Sequence, residues 1–390
     1  MRHDAKENKR IVFSDTRFIL LALILFGVVI RVPAIFIPHV ENDEVIYQTL
    51  ADKVSAKFSD YSLQGTDILK QLPAVNYDHP VFHRPPFFVY ALALFRTVFG
   101  KDLGILLPML SGVLLIWMIY LLGRRMYDEK RALLSAFILS CCPIILFGST
   151  RILMDIVLTA LVLFTVLAVS IAAEKGRLLW YVIAGALLGA AALTKEPAYF
   201  ILPACFYIVF KKGFTLKKTI YMLYLLIISF IVMLPWLYHF YNVSGEIFPW
   251  WSRVYEENIK MFPFIDMVVH RPWYFYFVQL IIIAPVYIFA YLEILRRVRN
   301  RLDLTEVFWA LSYIICATIL GLLGQGYQTR YIMPAVPALC FLSADSIAGK
   351  NKFIFALSIL FMAYGMLIGI LNSILFKPAD LVGIFSFFKR

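Results

Sequence analysis

Long apolar stretches separated by short polar ones organise this chain. The first covers about 18–38, and others fall near 102–123, 132–148, 156–173, 178–193, 198–210, 219–238, 272–295, 302–324, 331–349 and 353–372. A helix needs roughly 20 apolar residues to cross a hydrocarbon layer. The pattern therefore predicts an all-α polytopic membrane protein with about eleven transmembrane helices. One more run, 86–99, is short and carries Arg96 near its end. Before it, Ile46, Leu50, Val54 and Phe58 recur every four residues with Lys53 and Lys57 beside them, which predicts an amphipathic helix lying on the membrane surface.

Charge decides how the short run is treated. If 86–99 crosses the membrane, the clusters RRMYDEKR, KKGFTLKK and RRVRNR all fall outside; if it lies along the interface, they fall inside. Under the interfacial reading the inner segments 1–17, 124–131, 174–177, 211–218, 296–301 and 350–352 hold more than half of the 37 Lys and Arg. They do so in far fewer residues than the outer segments. The positive-inside rule selects that arrangement. It leaves the N-terminus in the cytoplasm behind an uncleaved signal anchor, because MRHDAKENKR precedes a run of spanning length without a small-residue cleavage pattern. Two large outer loops result, 39–101 with its interfacial helices and 239–271, whose aromatic stretch PWWSRVYEENIKMFPF reads as a lid or an interfacial belt.

Composition adds to this picture in two places. The residues are 62% hydrophobic and 16% charged, far from a soluble domain, and the net charge of +12 lies in short clusters between apolar runs, so no nucleic-acid partner is expected. The five cysteines, Cys141, Cys142, Cys205, Cys316 and Cys340, lie in or at the ends of apolar runs, which argues against a disulfide framework.

Candidate chemistry gathers at the outer edges. Asp43, Glu44, Arg84, Asp155, Lys195, Glu196 and Arg330 come from five separate outer segments. Ionisable groups at an apolar rim are costly unless a charged or reactive partner needs them. Carboxylates with several cations suit an anion joined to a lipid: cations hold a phosphate and a carboxylate removes a proton from a hydroxyl. Bland readings exist for each residue. Asp43 is placed to cap the helix after it, Glu44 suits a first helical turn, Asp155 is one turn from Arg151, and Arg84, Lys195 and Arg330 are placed to reach outer headgroups. Arg31, inside the first span, is expected to face the helix bundle, paired or lining a donor groove.

The stretches NDEVIY, HRPPFF, STRILMD, LTKEP and QTRYIMPAVP occur in that order over roughly 15–350. Together they resemble the successive motifs of the GT-C fold membrane glycosyltransferases of the dolichyl-phosphate-mannose protein mannosyltransferase and lipid A aminoarabinose transferase-like superfamily. The resemblance implies a GT-C catalytic domain over 1–350, followed at 351–390 by a last transmembrane helix and a short outer tail. It implies that Asp43 is the general base, that Glu44 completes the acidic pair, and that Asp155 is the acidic residue of the second outer loop. Arg84, Lys195 and Arg330 become cations on the donor phosphate, with Arg31 a further candidate.

The expected reaction is transfer of a hexosyl or pentosyl unit, mannose or a related sugar, from a polyprenyl-phosphate donor to a hydroxyl on a protein, lipid or glycan acceptor. The expected site is the outer face of the cell membrane, with inversion at the anomeric carbon and no cofactor. His83 and His270 are the pair that would tie the two outer loops through a divalent ion, but no compact ligand signature accompanies them. The rival class is a transporter or flippase for lipid-linked sugars, which would favour ionisable residues near the bilayer midplane and repeated halves. The outer placement of the charges favours the enzyme. The chain ends soon after its last span, so no large outer domain for a protein acceptor is expected.

Overall fold

In the computed structural model, residues 2–40, 42–71, 80–247, 271–322 and 327–375 are described. Among them every regular element is helical, and each apolar run of the sequence is occupied by helix. In a hydrocarbon environment this is forced, because a helix satisfies its own backbone polar groups. The order is α1 (Arg2–Val29), α2 (Asn42–Ala56), α3 (Ile68–Gln71), α4 (Phe87–Phe99), α5 (Leu106–Met126), α6 (Glu129–Ser140), α7 (Pro143–Ser149) and α8 (Met154–Lys175). It continues with α9 (Leu178–Ala192), α10 (Leu202–Phe210), α11 (Leu216–Ser244), α12 (Phe275–Ile283), α13 (Tyr287–Arg299), α14 (Thr305–Leu320), α15 (Val336–Ile347) and α16 (Lys352–Ile370).

Among the described residues, five segments are long and apolar enough to cross a membrane: Thr16–Phe36, Lys101–Met126, Met154–Lys175, Leu216–Ser244 and Lys352–Ser373. A sixth is formed by α6 and α7 together, bent by 60°. Pro143 opens α7 and has no N–H to continue the preceding ladder, which accounts for the break. Leu178–Ala192, Glu196–Phe210 and Thr305–Leu320 are shorter apolar helices, as is Phe87–Phe99. The protein is thus an integral membrane protein of all-α class.

Burial sorts the helices. Residues of α8 and α15 are almost entirely enclosed, whereas α1, α11 and α16 expose large apolar side chains such as Phe18, Leu25, Ile227, Phe230, Leu360 and Leu367. An apolar exterior of this kind suits contact with lipid. α9 closes on α11 through a small-residue stripe: a Cβ on Gly185 would meet Leu225 O at 2.4 Å, and one on Gly189 would meet Ser229 O at 2.7 Å. This contact sets the level of the turn after α9, where Lys195 lies.

The amphipathic reading of α2 needs correction. Ile46, Leu50 and Val54 are buried in the protein core, not spread on a membrane surface. Helix α4 covers them, with Tyr47 edge-on to Phe88 at 5.3 Å. Arg96, the charge that made the 86–99 run ambiguous, points at this partner: it donates to Asp52 Oδ1 at 3.0 Å and to Gln48 Oε1 at 2.8 Å. A four-residue apolar period marks a buried face but does not say whether protein or lipid buries it. Phe58 lies past the end of α2 and stays 77% exposed. On α4, Leu94, Val98 and Phe99 face outward.

Candidate functional site

Helix α2 begins at Asn42, so Asp43 and Glu44 sit in its first turn, successive positions pointing about 100° apart around the axis. The pair therefore divides between two environments. Asp43 Oδ2 is 2.6 Å from a terminal nitrogen of Arg330, and its Oδ1 is 3.9 Å from Arg84. One helical turn further on, Tyr47 accepts a hydrogen bond at 2.6 Å from Arg84. Arg330 also donates through Nε to Gln328 at 2.5 Å, which orients its guanidinium.

A second carboxylate closes the cluster. Asp155, in the first turn of α8, accepts from Lys195 Nζ at 2.7 Å and lies 4.0 Å from Arg330. Lys195, between α9 and the 3₁₀ turn Glu196–Ile201, is also 4.3 Å from the centre of the Tyr331 ring. Arg330 therefore bridges both carboxylates, and segments far apart in sequence meet at one point.

The electrostatics follow from this geometry. Burial alone would push the Asp43 carboxyl up, but Arg330 and Arg84 overcome it and hold the group well below the usual carboxylate range. Burial works against the Arg330 charge, and Asp43 and Asp155 outweigh it and strengthen its hold on its proton. Burial raises Glu196, only partly offset by its own backbone and by Lys195 and Arg84. Three cations, Arg84, Lys195 and Arg330, thus gather on Asp43 and Asp155, beside an Asp43 side chain that remains 23% exposed.

Glu44 turns away from this cluster. It is 1% exposed, pairs with His39 Nδ1 at 2.9 Å, accepts from the Ile152 N–H at 2.9 Å and lies 3.8 Å from Arg151. Arg151 thus pairs with Glu44, and Asp155 with Lys195; the neighbouring Asp155 and Arg151 do not pair with each other. Arg31 is fully buried and donates from Nε to Ser149 Oγ at 2.7 Å and from NH1 to Gly27 O at 2.7 Å. It ties the first span to α7, in space left by Gly112, whose added Cβ would lie 2.9 Å from Arg31 Nε. Among the described residues it forms no ion pair with the carboxylates.

His83 is buried, with its ring 4.8 Å from that of Phe82, and no group of three metal-ligating side chains occurs among the described residues. His270, and with it the suggested His83–His270 metal pair, lies outside them, as does most of the 239–271 loop. Sequence reasoning missed Tyr47 and His39. Tyr47 was within reach, since a position four residues after Asp43 shares its helical face; His39 has no comparable signal.

Comparison with known proteins now has a geometry to explain. A family model described as dolichyl-phosphate-mannose-protein mannosyltransferase matches residues 83–239. ArnT from Cupriavidus metallidurans, solved bound to undecaprenyl phosphate, superposes with a TM-score of 0.69 over 88% of this chain and 62% of that one, at 17% identity. The chain has the GT-C fold. Its motif resemblance to the superfamily is borne out by these matches. The archaeal oligosaccharyltransferase AglB from Archaeoglobus fulgidus, solved with an inhibitory peptide and a dolichol-phosphate, shares the fold at a TM-score of 0.60, with 15% identity, over 92% of this GT-C chain and 56% of its own. In sequence, this GT-C chain is 26% identical over 348 residues to the undecaprenyl phosphate-alpha-4-amino-4-deoxy-L-arabinose arabinosyl transferase of Pseudomonas aeruginosa, covering 85% of this chain and 60% of that protein. The chain spans less than two thirds of the length of these relatives.

Proposed function

We propose that the protein is a glycosyltransferase that moves a monosaccharide from a polyprenyl-phosphate donor to an acceptor hydroxyl. The observation that carries this reading is the outer cluster itself: a partly exposed carboxylate, Asp43, held beside Arg84, Arg330 and Lys195. Those cations suit an anion brought by a substrate, and a lipid-linked phosphate reaches them from the apolar surround. The printed descriptions of the relatives, which name undecaprenyl phosphate and dolichol-phosphate, support the same donor class.

In this mechanism Asp43 takes the proton of the acceptor hydroxyl, and the acceptor oxygen attacks the anomeric carbon from the face opposite the phosphate. The bond from that carbon to the phosphate oxygen breaks, and its electron pair leaves with the lipid phosphate. Arg84, Arg330 and Lys195 stabilise the developing charge, a role for which preorganised donors in a poorly hydrated site are effective. Asp155 keeps Lys195 and Arg330 in place, and Glu44 fixes the turn that carries Asp43. The site faces the outer side of the cell membrane, the N-terminus is cytoplasmic, the eleven apolar runs span, and α4 lies along the interface, as the distribution of Lys and Arg supports. The acceptor is a hydroxyl of a protein, lipid or glycan.

The test is release of lipid phosphate by the detergent-purified protein from a panel of polyprenyl-phosphate sugars. Asp43→Asn keeps donor binding and loses turnover by about 10²–10⁴-fold, the usual worth of a general base. Undiminished turnover in that variant overturns the assignment of the base. Movement of donor across vesicles with no phosphate released supports a transporter instead.

A further inference from the structure

A buried polar contact behind the cluster carries an inference that the reaction scheme does not use. His39 follows the first span; its side chain is 8% exposed, with Nε2 3.0 Å from the Ala34 carbonyl oxygen and Nδ1 2.9 Å from Glu44 Oε1. A carbonyl oxygen only accepts, so Nε2 carries a hydrogen. Glu44 Oε1 also accepts the Ile152 N–H at 2.9 Å, and Arg151 stands 3.8 Å from Oε2. Both nitrogens of the His39 ring are thus engaged, each by a different segment.

The contact joins three segments. The end of the first span contributes Ala34 O, α2 contributes Glu44, and the turn before α8 contributes Ile152 N–H and Arg151. Gln48 Nε2 donates to His39 O at 2.8 Å, fixing the backbone of the same residue to α2. Because Asp43 adjoins Glu44 in the first turn of α2, the contact sets the rotation and depth of the proposed base.

We propose that His39 is a positioning residue whose two ring nitrogens latch Glu44 to the end of the first span so that Asp43 faces the acceptor. The proposal rests on the glycosyl-transfer reading. When either contact is lost, the first turn of α2 is no longer held, and turnover falls through kcat because donor binding depends on Arg84, Arg330 and Lys195.

The experiment compares wild type, His39→Asn, His39→Gln and His39→Ala by lipid phosphate release and by the thermal unfolding midpoint of the donor-free protein. His39→Ala loses about 10–100-fold in kcat with little change in donor KM, the scale expected when a base is misplaced by a fraction of an ångström to one ångström. His39→Asn, which keeps a donor for the Glu44 contact, and His39→Gln, which keeps one for the Ala34 contact, fall between wild type and His39→Ala. An unchanged kcat in His39→Ala, or a loss carried by donor KM, overturns the latch; if His39→Ala does not fold, the kcat and KM of His39→Asn and His39→Gln decide in the same way. A wild type inactive on every donor counts against glycosyl transfer, while the donor-free midpoints, which fall when His39 is replaced by alanine, still test the latch.

Discussion

Asp43 meets two demands that pull in opposite directions. Arg330 and Arg84 keep it ionised, yet the same cations weaken its attraction for a proton. Under the proposed mechanism, a donor phosphate resolves the conflict by drawing the guanidiniums toward its own oxygens, and the carboxylate then regains basicity at the moment an acceptor arrives. The sign of the pH effect follows. In the folded chain the Asp43 carboxyl is depressed, so its ion pairing stabilises the protein above the ordinary carboxylate range, and that contribution is lost as pH falls toward the depressed value. Arg330→Gln removes the nearest cation and moves the Asp43 carboxyl up. The acid limb of kcat/KM in that variant lies at higher pH than in the wild type, measured with one donor under one ionic strength. An unmoved limb excludes Asp43 as the group that titrates.

Between elements, α8 and the turn after α9 are joined by the Asp155–Lys195 pair, with side chains 2% and 16% exposed. Removing one partner of a buried pair typically costs about 3–5 kcal/mol, because the other charge remains without compensation. Arg330, 4.0 Å from the second Asp155 oxygen, softens that loss. Lys195→Met therefore lowers the thermal unfolding midpoint, and Asp155→Asn added to it restores part of the fall. A double-mutant cycle in which the two losses simply add shows that the contact contributes nothing to stability. This element-scale link was half legible in the sequence. Outer helix ends with single charges were visible, but a linear spacing offered Arg151 as the partner of Asp155, and the packing of α9 along α8 brings Lys195 to it instead. The same limit explains α2, whose apolar period was read correctly while the surface that buries it was not.

Across the whole molecule, the cluster around Asp43 and Asp155 has a counterpart that the sequence presented as little more than topology-setting charge. Arg297 of RRVRNR is 4% exposed and donates to Glu293 Oε1 at 2.9 Å, Glu306 Oε2 at 2.7 Å, Asp345 Oδ2 at 2.8 Å and Tyr127 OH at 2.6 Å. Arg131 adds 2.8 Å to the other Asp345 oxygen, and Tyr127 donates to Glu306 at 2.5 Å. The hub joins α13, α14 and α15 to the connection between α5 and α6. Hydropathy and the positive-inside rule locate such residues by side, but they carry no information on which acid each base will meet, since the partners lie 9 to 170 positions away in sequence except for Glu293. Arg297 is shared by three carboxylates, with Arg296 also on Glu293 and Arg131 on Asp345, so Arg297→Met takes from Glu306 the cation it pairs with in a poorly hydrated interior. The expected loss is about 3–5 kcal/mol, at the scale of a broken buried ion pair, and is read as a fall in the unfolding midpoint in detergent. Since α15 is continuous with the 3₁₀ turn Thr329–Ala335 that carries Arg330, two outcomes separate a local from a global role. Unchanged donor KM at a temperature where the variant is folded confines the hub to stability; a raised KM shows that the two ends of the bundle move as one body.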